Sequence, residues 1–149
     1  MPNTLEATID IAAPPEQVWS IVSDLVRMPE FSPNTVRVRP FGKIRTGTWI
    51  VNLNRDGAKY YPTTSRVVRY EPNRAIAFRM NENLTIWSFT LEPIESGTRV
   101  VQRRDIPRGV SWPVRRMIEA LLGGEQHFEA NLVSGMNETL GKIKKTVES

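Results

Sequence analysis

Glu125 and His127 are the residues of this 149-residue sequence whose types and spacing come nearest to acid–base chemistry. A carboxylate sunk in an apolar setting resists ionisation, and a glutamate so placed can act as a general acid or base near neutral pH. Glu125 stands in an apolar stripe, four residues after Leu121 and three before Phe128. Burial of an unpaired carboxylate is costly, so Glu125 either borders a cavity holding water or ligand, or pairs with a strand arginine. Arg104 is the favoured partner, because Thr98, Val100, Gln102 and Arg104 share one strand face. If Val101 and Arg103 face inward instead, Arg103 takes that role. A structural ion pair, or a stripe edge reaching solvent, outweighs catalysis for Glu125. His127 is the weaker candidate: at ~100° per residue it falls ~200° from Glu125 and ~100° from Phe128, a flank position.

Other chemistries are excluded more firmly. One histidine and no cysteine rule out a Cys–His nucleophile, disulfides and a histidine-rich metal site. A metal held by carboxylates alone would lack any motif, so no metal is expected. Neither the phosphate-loop nor the dinucleotide glycine pattern occurs, and no cofactor is expected. The formal charge is +4, with arginines crowded between Arg99 and Arg116 and lysines near the C-terminus. These charges alternate with apolar residues as on a solvated face, so no nucleic-acid partner is expected. No apolar run approaches the ~20 residues of a membrane helix, and Met1 to Glu6 lack the regions of a secretory leader. The expectation is a cytoplasmic protein with at most transient membrane contact.

The positioning elements follow from hydrophobic period. Leu5, Ala7, Ile9 and Ile11 alternate with polar residues as in a half-buried strand. Pro14 and Pro15 suit a helix's first turn and Glu16 complements its dipole. Val18, Val22 and Leu25 share one helical face, widened by Trp19 and Ile21. Pro29 and Pro33 leave at most one short turn around Met28 to Phe31. Strands follow at Val36–Val38, Trp49–Asn54, Tyr60–Tyr70, Ala75–Met80, Trp87–Leu91 and Thr98–Asp105, with a hairpin signal at Arg55-Asp56-Gly57. Pro62 suggests an edge or a bulge. The connections are too short for crossover helices, which predicts an antiparallel meander with one covered face.

Pro113 to about Val147 reads as a long amphipathic helix whose stripe is Ile118, Leu121, Glu125, Phe128, Leu132, Met136, Leu140, Ile143 and Val147. Gly123-Gly124 costs roughly 1 kcal/mol per glycine inside it. The pair either kinks the helix or lets strands approach closely. The expected fold is α+β and spans residues 1–149 as one domain. It is a helix-grip: about seven antiparallel strands curve around the long C-terminal helix, with one or two short helices after the first strand.

Several stretches then resemble a known family. They are Glu16-Gln17-Val18-Trp19, Val22-Ser23-Asp24-Leu25, Met28-Pro29-Glu30-Phe31-Ser32-Pro33, Tyr70-Glu71-Pro72, Trp87 to Pro93 and Gly97-Thr98-Arg99-Val100. Together they are similar to the START-like (SRPBCC) superfamily, and within it to the bacterial polyketide cyclase/dehydrase and lipid-transport group. The resemblance implies a cavity between sheet and long helix for an apolar or amphipathic molecule. Arg27–Pro33, Arg55–Lys59 and Ile106–Pro113 are then candidate lids, and Trp19 and Phe31 apolar wall or plug.

The remaining expected wall is Trp49, Val51, Phe78, Met80, Trp87, Phe89, Met117, Leu121 and Phe128, with Arg104 and Glu125 orienting a polar end. Binding or transport of a lipid-, quinone- or polyketide-like molecule leads. A cyclase or dehydratase using Glu125 or His127 comes second, and a protein-interaction module without a cavity third.

Overall fold

Strand β1, Leu5–Ile11, buries alternate side chains and delivers the chain to Pro14, whose extended backbone caps helix α1, Pro15–Val22. Proline opens this helix without loss because its first N–H groups have no intrahelical partner. Val18, Trp19 and Val22 form the buried face. A 3-10 helix, Leu25–Glu30, follows; it is longer than the single turn expected and contains Pro29. Proline is tolerated because the bonds fall on its neighbours, Arg27 N–H donating to Asp24 O at 3.0 Å and Phe31 N–H to Met28 O at 2.9 Å. The computed structural model describes residues 4–82, 84–106 and 125–149, the last segment with side chains from residue 130 onward.

Six strands then run in sequence: β2 Thr35–Pro40, β3 Trp49–Asp56, β4 Lys59–Glu71, β5 Ala75–Met80, β6 Ile86–Ile94 and β7 Gly97–Asp105. All seven form one antiparallel, curved sheet in the order β1-β7-β6-β5-β4-β3-β2. This is the expected meander, with β1 returning to pair along β7. Pro62 falls in the half of β4 that pairs only with β3, since pairing with β5 begins at Ser65. The edge reading of Pro62 therefore holds, while the irregularity in β4 lies further on, between Val67 and Arg69.

Helix α2, Glu125–Glu148, packs against β1, β7 and α1. Met136, Leu140, Ile143 and Val147 are buried in the expected stripe, and Leu132 packs beside them. Each such side chain contributes about 1.5–3 kcal/mol when fully buried. The start of the expected helix, with Met117, Leu121 and Gly123-Gly124, lies outside the described residues. Among the described residues no helix is long and apolar enough to cross a membrane.

The last turn of α2 is bonded to the β1–α1 junction. Glu148 Oε2 accepts from Ala12 N–H at 2.8 Å and from Lys144 Nζ at 2.8 Å, and Lys144 also donates to Asp10 O at 2.7 Å. Gln17 Nε2 donates to Val147 O at 3.2 Å. At the same junction β7 begins on Gly97, at φ +145°, where an added Cβ would lie 2.1 Å from Ile11 O. Thr98 Oγ1, fully buried, donates to Ala13 O at 2.7 Å beside it.

Two outcomes are expected. Gly97→Ala should lower the stability read from a urea midpoint by about 2 kcal/mol or more, because strain and backbone collision coincide. The Ala12 N–H, and then Lys144, hold the Glu148 carboxyl below the usual carboxylate range. A carboxyl depressed in the folded state stabilises above its unfolded pKa and loses that contribution as pH falls through the folded value. Glu148→Gln should therefore lower the urea midpoint at neutral pH, and the difference should close on acidification through that window.

Candidate functional site

Strand pairing sorts the candidate residues between two faces. Leu5 pairs with Arg104, Arg104 with Trp87 and Trp87 with Phe78, so these four form a row on the inner face, the one carrying the buried core. The next row is Ala7, Gln102, Phe89 and Ile76. Arg104 therefore faces inward and is 3% exposed, whereas Arg103 faces outward and meets Asp105 and Glu6. This is the parity that favoured Arg104. Phe89 is buried, while Phe78, Met80 and Trp87 on the same face remain partly exposed.

Trp49 and Val51 lie on the other side, which corrects their place in the expected wall. Trp49 is 49% exposed on the outer face, its ring beneath the Arg66 guanidinium at 5.8 Å. Strand β3 turns Ile50, Asn52 and Asn54 inward instead, opposite Ser65, Thr63 and Tyr61 of β4. The inward asparagines are bonded across the hairpin, Asn52 Nδ2 to Ser65 Oγ at 3.2 Å and Asn54 Nδ2 to Thr63 Oγ1 at 2.7 Å. Burial, and then Asp56, push the Tyr61 phenol above its ordinary value, so it stays protonated at neutral pH. These polar residues were missed because Trp49, Val51 and Leu53 are the more apolar alternate set. The hairpin held the signal: pairing Asp56 with Lys59 across Gly57-Ala58 puts Asn52 opposite Thr63.

Trp19 and Phe31 are both in the core. Trp19 stacks edge-on against Tyr70 with centroids 5.5 Å apart, and Phe31 lies under the Arg27 guanidinium. Glu125, His127 and Phe128 belong to α2, but their side chains lie outside the described residues. Two surface depressions, of about 500 Å3 along β1–β7 and about 590 Å3 beside Pro15 and Arg74, share no lining residue with the inner-face rows. Among the described residues no group of three or more metal-binding side chains gathers.

Gln102 adds the polar feature that decides what this surface can do. It is 8% exposed between Ala7 and Phe89, and its buried Oε1 has no hydrogen-bond partner among the described residues. The inner face thus combines aromatic surface with an acceptor that has no partner among the described residues.

A family profile described as polyketide cyclase/dehydrase and lipid transport matches residues 2–148. The chain belongs to this family. Solved structures agree with the fold. The chain aligns to the di-domain aromatase/cyclase StfQ of the steffimycin biosynthetic pathway with a TM-score of 0.79 and 12% identity, covering 97% of this chain and 50% of that one. The Polyketide_cyc-like protein Cgl2372 of Corynebacterium glutamicum gives a TM-score of 0.68 at 26% identity, with 99% and 94% covered. The Zhui aromatase/cyclase of Streptomyces sp. R1128 gives 0.71 at 20% identity, with 99% and 96% covered. The chain spans half the length of StfQ and nearly all of the other two. No curated protein matches. Membership of the polyketide cyclase/dehydrase and lipid-transport family accounts for the START-like architecture.

A polar group without a partner contributes little to stability. Gln102→Leu removes an acceptor without a partner, so the urea midpoint should hold or rise, by no more than about 1 kcal/mol. A loss above about 2 kcal/mol would mean that Gln102 is bonded within the protein.

Proposed function

We propose that the protein binds a hydrophobic or amphipathic small molecule, of lipid, quinone or polyketide character, between the inner face of the sheet and α2. The observation that carries this reading is the partly exposed Phe78–Trp87 row lying one register step from the buried, unpartnered Gln102 Oε1. Apolar surface of this kind supplies affinity at about 25 cal/mol per Å2 buried. Inward polar groups such as Gln102, Arg104 and Asn52 fix the orientation of one end. A mostly apolar site with few convergent polar groups is the usual composition of an enclosed ligand pocket.

A second reading is cyclase or dehydratase chemistry, favoured by the likeness to the aromatase/cyclases StfQ and Zhui. It requires a proton-transfer group, and Glu125 and His127 are the candidates on α2. The two readings separate by experiment. Native mass spectrometry of the protein should show a retained apolar small molecule. Titration with the uncharged apolar dye Nile red should be weakened by Trp87→Ala and left unchanged by Trp49→Ala. Equal effects of the two substitutions would reject the inner face as the site. An enzyme would instead lose turnover of an aromatic polyketide substrate in Glu125→Gln or His127→Gln while still binding the dye.

A further inference from the structure

The outer face of the sheet is divided by charge. On β1 and β7 its arginines are neutralised: Arg99 meets Asp10 at 2.9 Å, and Arg103 meets Asp105 at 3.0 Å and Glu6 at 3.4 Å. On β2 and β4 the same face carries Arg37, Arg39 and Arg66, which have no ion pair among the described residues. Glu82 reaches the same face, its carboxylate accepting from Thr64 N–H and Oγ1 at 2.8 and 2.6 Å, with no ion pair to these arginines.

Apolar groups stand among these free cations. Phe41 is 66% exposed and Trp49 49%, and they lie side by side because Phe41 N–H donates to Trp49 O at 2.8 Å. Leu53, also exposed, is paired with Arg37. Single exposed apolar residues are ordinary, but a contiguous set among unneutralised arginines marks an interaction face. Its complement is negative at the surface and apolar just beneath. A bilayer of anionic lipid has that profile: aromatic rings settle at the headgroups, arginine stems lie along apolar surface, and their guanidinium groups reach phosphate. Single-stranded nucleic acid fits less well, because it stacks bases on open aromatic faces and Arg66 already covers Trp49.

We propose that the outer face of β2–β4 docks the protein on an anionic membrane surface, Phe41 and Trp49 entering the headgroup layer and Arg37, Arg39 and Arg66 facing lipid phosphate. This face is opposite the one assigned to the small molecule, and the proposal stands without that assignment.

Co-sedimentation of the full chain with vesicles tests it. Binding is expected to phosphatidylcholine mixed with phosphatidylglycerol and not to phosphatidylcholine alone, and it should weaken with added salt. Arg37→Gln with Arg39→Gln should reduce partitioning roughly 30-fold, and the matching double lysine variant should restore it. Phe41→Ser with Trp49→Ser should also release the protein. Arg99→Gln with Arg103→Gln removes the same charge from the neutralised half and should leave binding intact, with urea midpoints confirming that every variant is folded. Equal binding to both vesicle types, no binding to either, or equal loss from both arginine pairs would overturn the proposal. So would tight binding of oligothymidine, lost in the Arg37/Arg39 variant, with vesicles left unbound.

Discussion

The pairing of β1 with β7 fixes what is inside this protein. Its register sets Leu5 against Arg104, Ala7 against Gln102 and Ile11 against Thr98, and a slip by one residue would send each set to the opposite face. Thr98, Gln102 and Arg104 would then meet solvent, and Arg99 and Arg103 would enter the core without Asp10 and Glu6. Buried charge without a partner costs far more than an exposed ion pair contributes, so the alternative register is disfavoured from both faces at once. The pairing is also the longest-range step in the sheet, joining the first strand to the last. The bonds from Glu148, Lys144 and Gln17 at the end of α2 hold it where β1 leaves the sheet.

Most of the fold was legible in the sequence because its elements have strong periods. The α2 stripe from Leu132 to Val147 repeats every three or four residues, and the buried positions coincide with it. The meander followed from short connections alone. Strand β3 was misjudged for a physical reason: alternation establishes two faces but not which one is buried. Trp49, Val51 and Leu53 have the greater hydrophobicity, yet the inward set is Ile50, Asn52 and Asn54, because Ser65 and Thr63 satisfy the asparagines across the hairpin. An inward, half-buried polar side chain with a partner is tolerated, and no hydrophobicity scale carries that information. Arg104 was found by parity and Gln102 was not, since an acceptor without a donor becomes visible only once its neighbours are placed.

The two faces of the sheet therefore divide the chemistry. Inside, the polar side chains range from the buried Ser65, Thr98, Gln102 and Arg104 to the partly exposed Asn52, Asn54 and Tyr61. Outside, charge is abundant, compensated along β1 and β7, while Arg37, Arg39 and Arg66 of β2 and β4 have no ion pair among the described residues. Fold kinship with aromatase/cyclases leaves both faces free to differ, since function resides in sites carried by a fold rather than in the fold itself.

Strand β2 closes the far side of the sheet, and its construction governs how the molecule behaves when crowded. An open strand offers unpaired N–H and C=O groups to any neighbour, the route by which sheets stack into fibrils. Here that edge is six residues long, is interrupted between Thr35 and Arg37, carries two outward arginines and ends on Pro40, which has no N–H to offer. A second molecule approaching in strand register meets like charge, a broken ladder and a missing donor, so the strand's own residues oppose aggregation through this edge.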